Sequence, residues 1–285
     1  MALDTSAQVY ADEATGWQRG LYADVRRTFR APFVNWIFRT AMANDPEFLR
    51  YAWPQVKPLF ETEAFAQFAV DYRETVRDAL DLPTYRRATL DLRPPEYREL
   101  RGQLATFDVV APRLAVLFET LDRTLGGERV GGAAGDTASM APAATGLDRD
   151  RGLEPTLVGF TEVPEGLAET VAEIKAHHGY DEGLPSIYRC LAQWPPFLTR
   201  AWAHLTDDGT ALATARERAA DRVEAYVDGV AHTPRTTPAD LDAVGLGDAT
   251  ADMATLFAGF NEGGRRTLPM LVAYAALAGA SGQAD

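Results

Sequence analysis

The chain has 285 residues, 46% of them hydrophobic, enough to fill a substantial core as one large domain or two smaller ones. Its 41 Asp and Glu outnumber 28 Lys and Arg for a net charge of −13, which argues against nucleic acid as a partner, because phosphate contacts need a basic face. With no basic-then-apolar leader and no apolar run of about 18 residues, the expectation is a cytoplasmic chain without membrane contact.

Lys57 and Lys175 are the only lysines, so nearly every cation is arginine. Acidic excess with scarce lysine reads as adaptation to a high-salt cytoplasm, or as a codon preference for arginine; either way it concerns solubility and not fold. The lone Cys190 can form no internal disulfide and has no neighbours at metal-ligand spacing, which fits a buried, inert thiol in a reducing compartment.

In chain order, Tyr22-Ala23-Asp24-Val25-Arg26 leads into Ile37-Phe38-Arg39, then Asp45-Pro46-Glu47 gives an N-cap, a first-turn proline and an acid, the signature of a helix start. Phe48-Leu49 and Ala52-Trp53 continue it. Phe65, Phe68, Ala69, Tyr72 and Val76 fall on one helical face, with Glu63, Asp71, Glu74 and Asp78 off it, so an amphipathic helix is predicted there. Residues 125–155 are rich in Gly, Ala, Asp and Thr and read as a linker. Leu167, Val171 and Ile174 then share a face, and Thr237-Pro238 with Asp240 marks another helix start. No segment alternates with period two, so no sheet is expected.

The second half answers the first. Val171-Ala172-Glu173-Ile174-Lys175 matches residues 22–26, Ile187-Tyr188-Arg189 matches 37–39, and Pro195-Pro196-Phe197-Leu198 with Ala201-Trp202 matches 46–53 after one gap. The expected organisation is all-α: a first helical repeat over 1–124, the linker, and a second repeat over 156–285, paired as an intramolecular pseudo-dimer with a small-ligand site between them. Trp53 and Trp202 read as core anchors.

Phe29-Arg30-Ala31-Pro32-Phe33-Val34, Arg39, Pro46-Glu47-Phe48-Leu49 to Trp53, His177-His178-Gly179 and Leu191-Ala192-Gln193-Trp194-Pro195 resemble the group I 2-haloacid dehalogenases. The resemblance implies an all-helical pseudo-dimer with its active site between repeats. There a water, activated by an aspartate and positioned by an asparagine, displaces halide from a 2-haloalkanoate without a covalent ester and without a cofactor. Carried over, the aromatic pocket positions fall on Phe33 and Trp36 and the pocket serine on Ser186. The aspartate falls on Ile187, the asparagine on Ala111, and a pocket tyrosine on Gly259. Isoleucine cannot accept a proton from water and alanine cannot orient one, so the general base has no agent at these positions.

Asp108, Asp181, Glu182 and Asn261 are the groups that could substitute. His177 and His178, adjacent on a helix, point about 100° apart and are poorly placed to share a metal. With no P-loop and no dinucleotide fingerprint either, no metal and no cofactor are expected. Two readings follow: a haloacid dehalogenase-like hydrolase with a relocated base, or a catalytically divergent relative that binds a small, carboxylate-bearing ligand in an apolar pocket lined by Phe33, Trp36, Ala111, Ser186, Ile187 and Gly259. A homo-dimer is left open.

Overall fold

The computed structural model describes residues 3–133, 140–143, 152–159, 164–180 and 183–280. Its order of α-helices is α1 Gly16–Phe29, α2 Trp36–Asn44, α3 Pro46–Val56, α4 Glu63–Ala79, α5 Pro94–Leu125, α6 Ala168–His178, α7 Ser186–Leu191, α8 Pro195–Asp207, α9 Gly209–Gly229, α10 Pro238–Ala243 and α11 Thr250–Leu277. Among the described residues there is no β-strand, only an isolated bridge between Thr62 and Pro142. The all-helical expectation therefore holds, and no described helix is long and apolar enough to cross a membrane.

Local chemistry sets the helix ends. Asp45 accepts from the Phe48 N–H at 2.8 Å with Pro46 in the first turn of α3, and Thr237 and Asp240 form a reciprocal capping box on α10. Gly179 stops α6 at φ 72°, a left-handed conformation that glycine adopts without a Cβ clash. On α4 the stripe from Phe65 to Val76 is buried, as its spacing demands.

Two long helices hold the centre. Residues 110–121 of α5 are buried without interruption, and so are 268–277 of α11, so both are covered on every side rather than on one face. They pack on each other as the largest helix pair, with α4 against α9 beside them. Each carries an internal proline, Pro112 in α5 and Pro269 in α11.

Around this centre one kind of hydrogen bond occurs twice. The Trp53 indole N–H donates to Asp24 at 2.8 Å and that of Trp202 to Glu173 at 3.0 Å, both across 29 residues of sequence.

The described part of the Gly/Ala-rich segment is docked. Leu153 N–H donates to the Gly102 carbonyl, and Thr106 Oγ1 donates to the Leu153 carbonyl, each at 2.8 Å. A Cβ on Gly152 would fall 1.7 Å from Thr106 Oγ1, so only glycine lets the chain lie this close to α5.

Candidate functional site

A cavity of about 370 Å³ opens between the starts of α2 and α7 and the long faces of α5 and α11. The two short helices enter it alike. Asn35 and Pro185 are their N-cap residues, both extended (φ −62°, ψ 151° and φ −52°, ψ 153°), so Trp36 and Ser186 stand as the first helical residues at the wall. From α5, Phe107, Val110, Leu114 and Phe118 supply one helical face, as the i, i+3, i+7, i+11 spacing requires.

The α11 wall is cut back by glycine. A Cβ at Gly259 or Gly263, one turn apart, would meet no atom within 4 Å. Between them Phe260 packs edge-on to Trp36, with ring centroids 5.7 Å apart, and against Phe118 at 5.5 Å. Leu3 and Thr5 complete the wall from an N-terminal strap. Asp4 and Asn44 pin that strap through a reciprocal pair of 2.8 Å bonds: the Asp4 N–H donates to Asn44 Oδ1, and Asn44 Nδ2 donates to the Asp4 carbonyl.

Few polar groups reach this space. Tyr180 Oη lies 3.1 Å from Thr267 Oγ1, and Thr255 Oγ1 donates to the Ala251 carbonyl at 2.9 Å. Asn35 is 7% exposed, makes no capping bond to its own helix, and its Oδ1 is buried without a partner. Among the described lining residues there is no Asp, Glu, His, Lys or Arg.

Of the positions singled out from sequence, Trp36, Ser186, Ile187 and Gly259 lie together on this wall. Phe33 is half-buried against the core elsewhere, and Ala111 is fully enclosed within α5, outside the lining. Asp108 is buried against α4, its Oδ2 3.9 Å from Arg73 Nη1. Asn261 spends its amide on Glu119 at 3.0 Å and Asp122 at 2.8 Å, in a cluster that also holds Arg265. Asp181 and Glu182 lie outside the described residues.

His178 belongs to a buried network behind the cavity, while His177 is exposed beside it. His178 Nε2 lies 2.6 Å from Tyr188 Oη and its ring stacks on Tyr180; burial, with His177 and two arginines nearby, pushes its pKa down to about 3. Burial, with Arg216 beside it, also lowers His177, whose Nε2 lies 3.1 Å from Arg216 Nη2. No group of three or more His, Cys, Asp or Glu among the described residues could hold a metal. Cys190 is buried, its thiol donating to Gln103 Oε1 at 3.1 Å and pushed up in pKa by burial, so thiolate chemistry is suppressed.

Sequence reading missed Asn35, Tyr180, Gly263 and the strap. Asn35 alone carried a signal, as an N-cap residue type directly before Trp36. Chemically, the wall can enclose an apolar molecule and offer it a few hydrogen bonds. Among its described residues none could take a proton from water.

The chain is similar to known proteins over most of its length. The family model described as halocarboxylic acid dehydrogenase DehI matches residues 32–162. An (R)-2-haloacid dehalogenase of Pseudomonas putida is 26% identical over 244 residues, covering 81% of this chain and 79% of that protein. Among solved structures, a D-2-haloacid dehalogenase mutant aligns with TM-score 0.79 at 21% identity, and a D-2-haloacid dehalogenase complex with L-LA with TM-score 0.79 at 22%. Each alignment covers 95% of both chains.

Proposed function

We propose that this divergent relative of the group I 2-haloacid dehalogenases is dehalogenase-like in fold but uses its cavity to bind a small apolar ligand, with the family's water-activating pair replaced by Ile187 and Ala111. The chain is organised as two helical repeats, 1–124 and 156–285, joined through 125–155, and the cavity sits where they meet. The matched Trp–carboxylate bonds, the paired entry of α2 and α7, and the packing of α4 on α9 and of α5 on α11 support that organisation.

One observation carries the functional reading: no described lining residue can act as a general base, and the position answering the family's aspartate is an isoleucine on the wall itself. The test is halide release from both enantiomers of 2-chloropropionate and 2-bromopropionate, at high salt, by protein verified as folded. Release at background level is expected. Turnover would overturn the reading.

A second reading, hydrolysis by a relocated base, is favoured by one sequence fact: Asp181 and Glu182 stand between Tyr180 and Pro185, both on the wall. On that reading wild type releases halide, and Asp181→Asn or Glu182→Gln abolishes it.

A further inference from the structure

The lining of the cavity is graded from rim to depth. Its exposed members are Thr5, Trp36, Ser186, Thr255 and Gly259, three of which carry hydroxyls, and Trp36 is 41% exposed. Its buried members are almost all hydrocarbon, among them Phe107, Val110 and Leu114 on α5 and Leu268 and Leu271 on α11. An indole beside hydroxyls, above a wall of aliphatic and phenyl groups, suits a boundary between wet and dry.

The rim stays open because α11 is cut back there. Gly259 is exposed, and a Cβ on it or on Gly263 one turn later would meet nothing within 4 Å. At Gly264 the same helix closes on α5, where a Cβ would strike the Phe118 ring at 2.8 Å. The resemblance places a tyrosine at position 259. With glycine there, the ring that would narrow the mouth is gone.

Given the ligand-binding reading above, the two ends of an occupant meet different surroundings. Apolar groups gain by leaving water for the buried wall, whereas a polar head that followed them would lose its hydration. The open mouth spares the head that loss. An engineered cavity of about 150 Å³ takes benzene, so about 370 Å³ has room for a chain of about eight carbons. We infer that the cavity takes the apolar end of an amphiphile, while the polar head stays in water at the rim formed by Thr5, Trp36 and Ser186. The bulk of the head is then not selected.

Octan-1-ol, octyl glucoside and hexyl glucoside test this, each titrated by calorimetry below its micellar concentration and fitted for one site per chain. Octyl glucoside should bind within about threefold of octan-1-ol, although its head is far larger. It should bind about tenfold more tightly than hexyl glucoside, the difference expected for two methylenes moved out of water. Gly259→Tyr, at an exposed position with open space, should weaken octyl glucoside at least tenfold more than octan-1-ol. Octan-1-ol binding with octyl glucoside a hundredfold weaker would mean that the occupant is enclosed whole, which overturns the amphiphile inference and leaves the cavity a binding site. Equal effects of Gly259→Tyr on both compounds would overturn the placing of the head at this mouth. Failure of all three to bind folded wild type would overturn the ligand-binding reading itself.

Discussion

The indole N–H of Trp202 donates to Glu173 at 3.0 Å and so ties α8 to α6, which has few buried residues of its own. In the first half Trp53 makes the same bond to Asp24, which Lys57 also meets at 2.9 Å. Burial would raise the Asp24 pKa, but Trp53 and Lys57 hold it below the ordinary carboxylate value. Glu173→Ala should therefore cost about 1 kcal/mol, the net worth of one such hydrogen bond. Asp24→Ala should cost more, because it also removes the nearer of the two carboxylates, Asp24 and Glu61, that meet the Lys57 ammonium. Urea unfolding of the two variants checks the order; equal costs would show that Lys57 adds nothing.

Acid should weaken the fold in a window set by the histidines. His178 takes up a proton near 6.5 when unfolded but only at about 3 when folded, so between those values the unfolded chain binds more protons. Stability is complete above the upper value and falls as pH drops below it, by at most about 1.4 kcal/mol per pH unit for one such group. His177, lowered in the same direction, adds to the slope. Melting temperature measured from pH 8 to 4 should be flat above about pH 7 and decline below it. His178→Gln should reduce that decline, and an unchanged slope would show that His178 is not the group responsible.

Restoring the family's chemistry is the sharpest test of where its active site lies on this chain. Ile187 is 2% exposed and on the wall, so Ile187→Asp puts a carboxylate into the cavity, raised in pKa by desolvation and destabilising by about 2–4 kcal/mol. General-base assistance is worth on the order of 100-fold or more. Halide release from 2-bromopropionate should rise accordingly. Because Ala111 is enclosed within α5 and away from the lining, adding Ala111→Asn should contribute less than Ile187→Asp alone. A folded double variant without any release would mean that position 187 does not face the family's reaction centre.

Salt should stabilise the protein. With 41 acidic against 28 basic residues, exposed carboxylates repel one another, and screening relieves that repulsion. The melting temperature should rise from low to molar KCl, and a flat profile would count against a high-salt adaptation.

Much of the architecture was legible in the sequence because helix starts are local chemistry. Asp45 with Pro46, Thr237 with Asp240, and Gly179 after the two histidines carry their structural meaning within four residues. Of the cavity's lining, sequence reading singled out only the residues a resemblance pointed to, Trp36, Ser186, Ile187 and Gly259. Asp108 and Asn261 looked available in sequence because their partners, Arg73 on α4 and Glu119 on α5, sit 35 and 142 residues away by number. Residues 152–155 read as linker because glycine signals freedom and close packing with the same letter. At Gly152 the second meaning applies.

The unbroken burial of 110–121 in α5 and 268–277 in α11 has a thermodynamic consequence. A helix buried all round has no solvent face to fall back on, and α5 and α11, the largest helix pair, complete much of their shelter against each other. Neither long helix is fully sheltered without the other. The chain should thus melt in one two-state step, with calorimetric and van't Hoff enthalpies equal. Separate fragments 1–133 and 152–285 should remain unfolded apart and regain helical structure only when mixed.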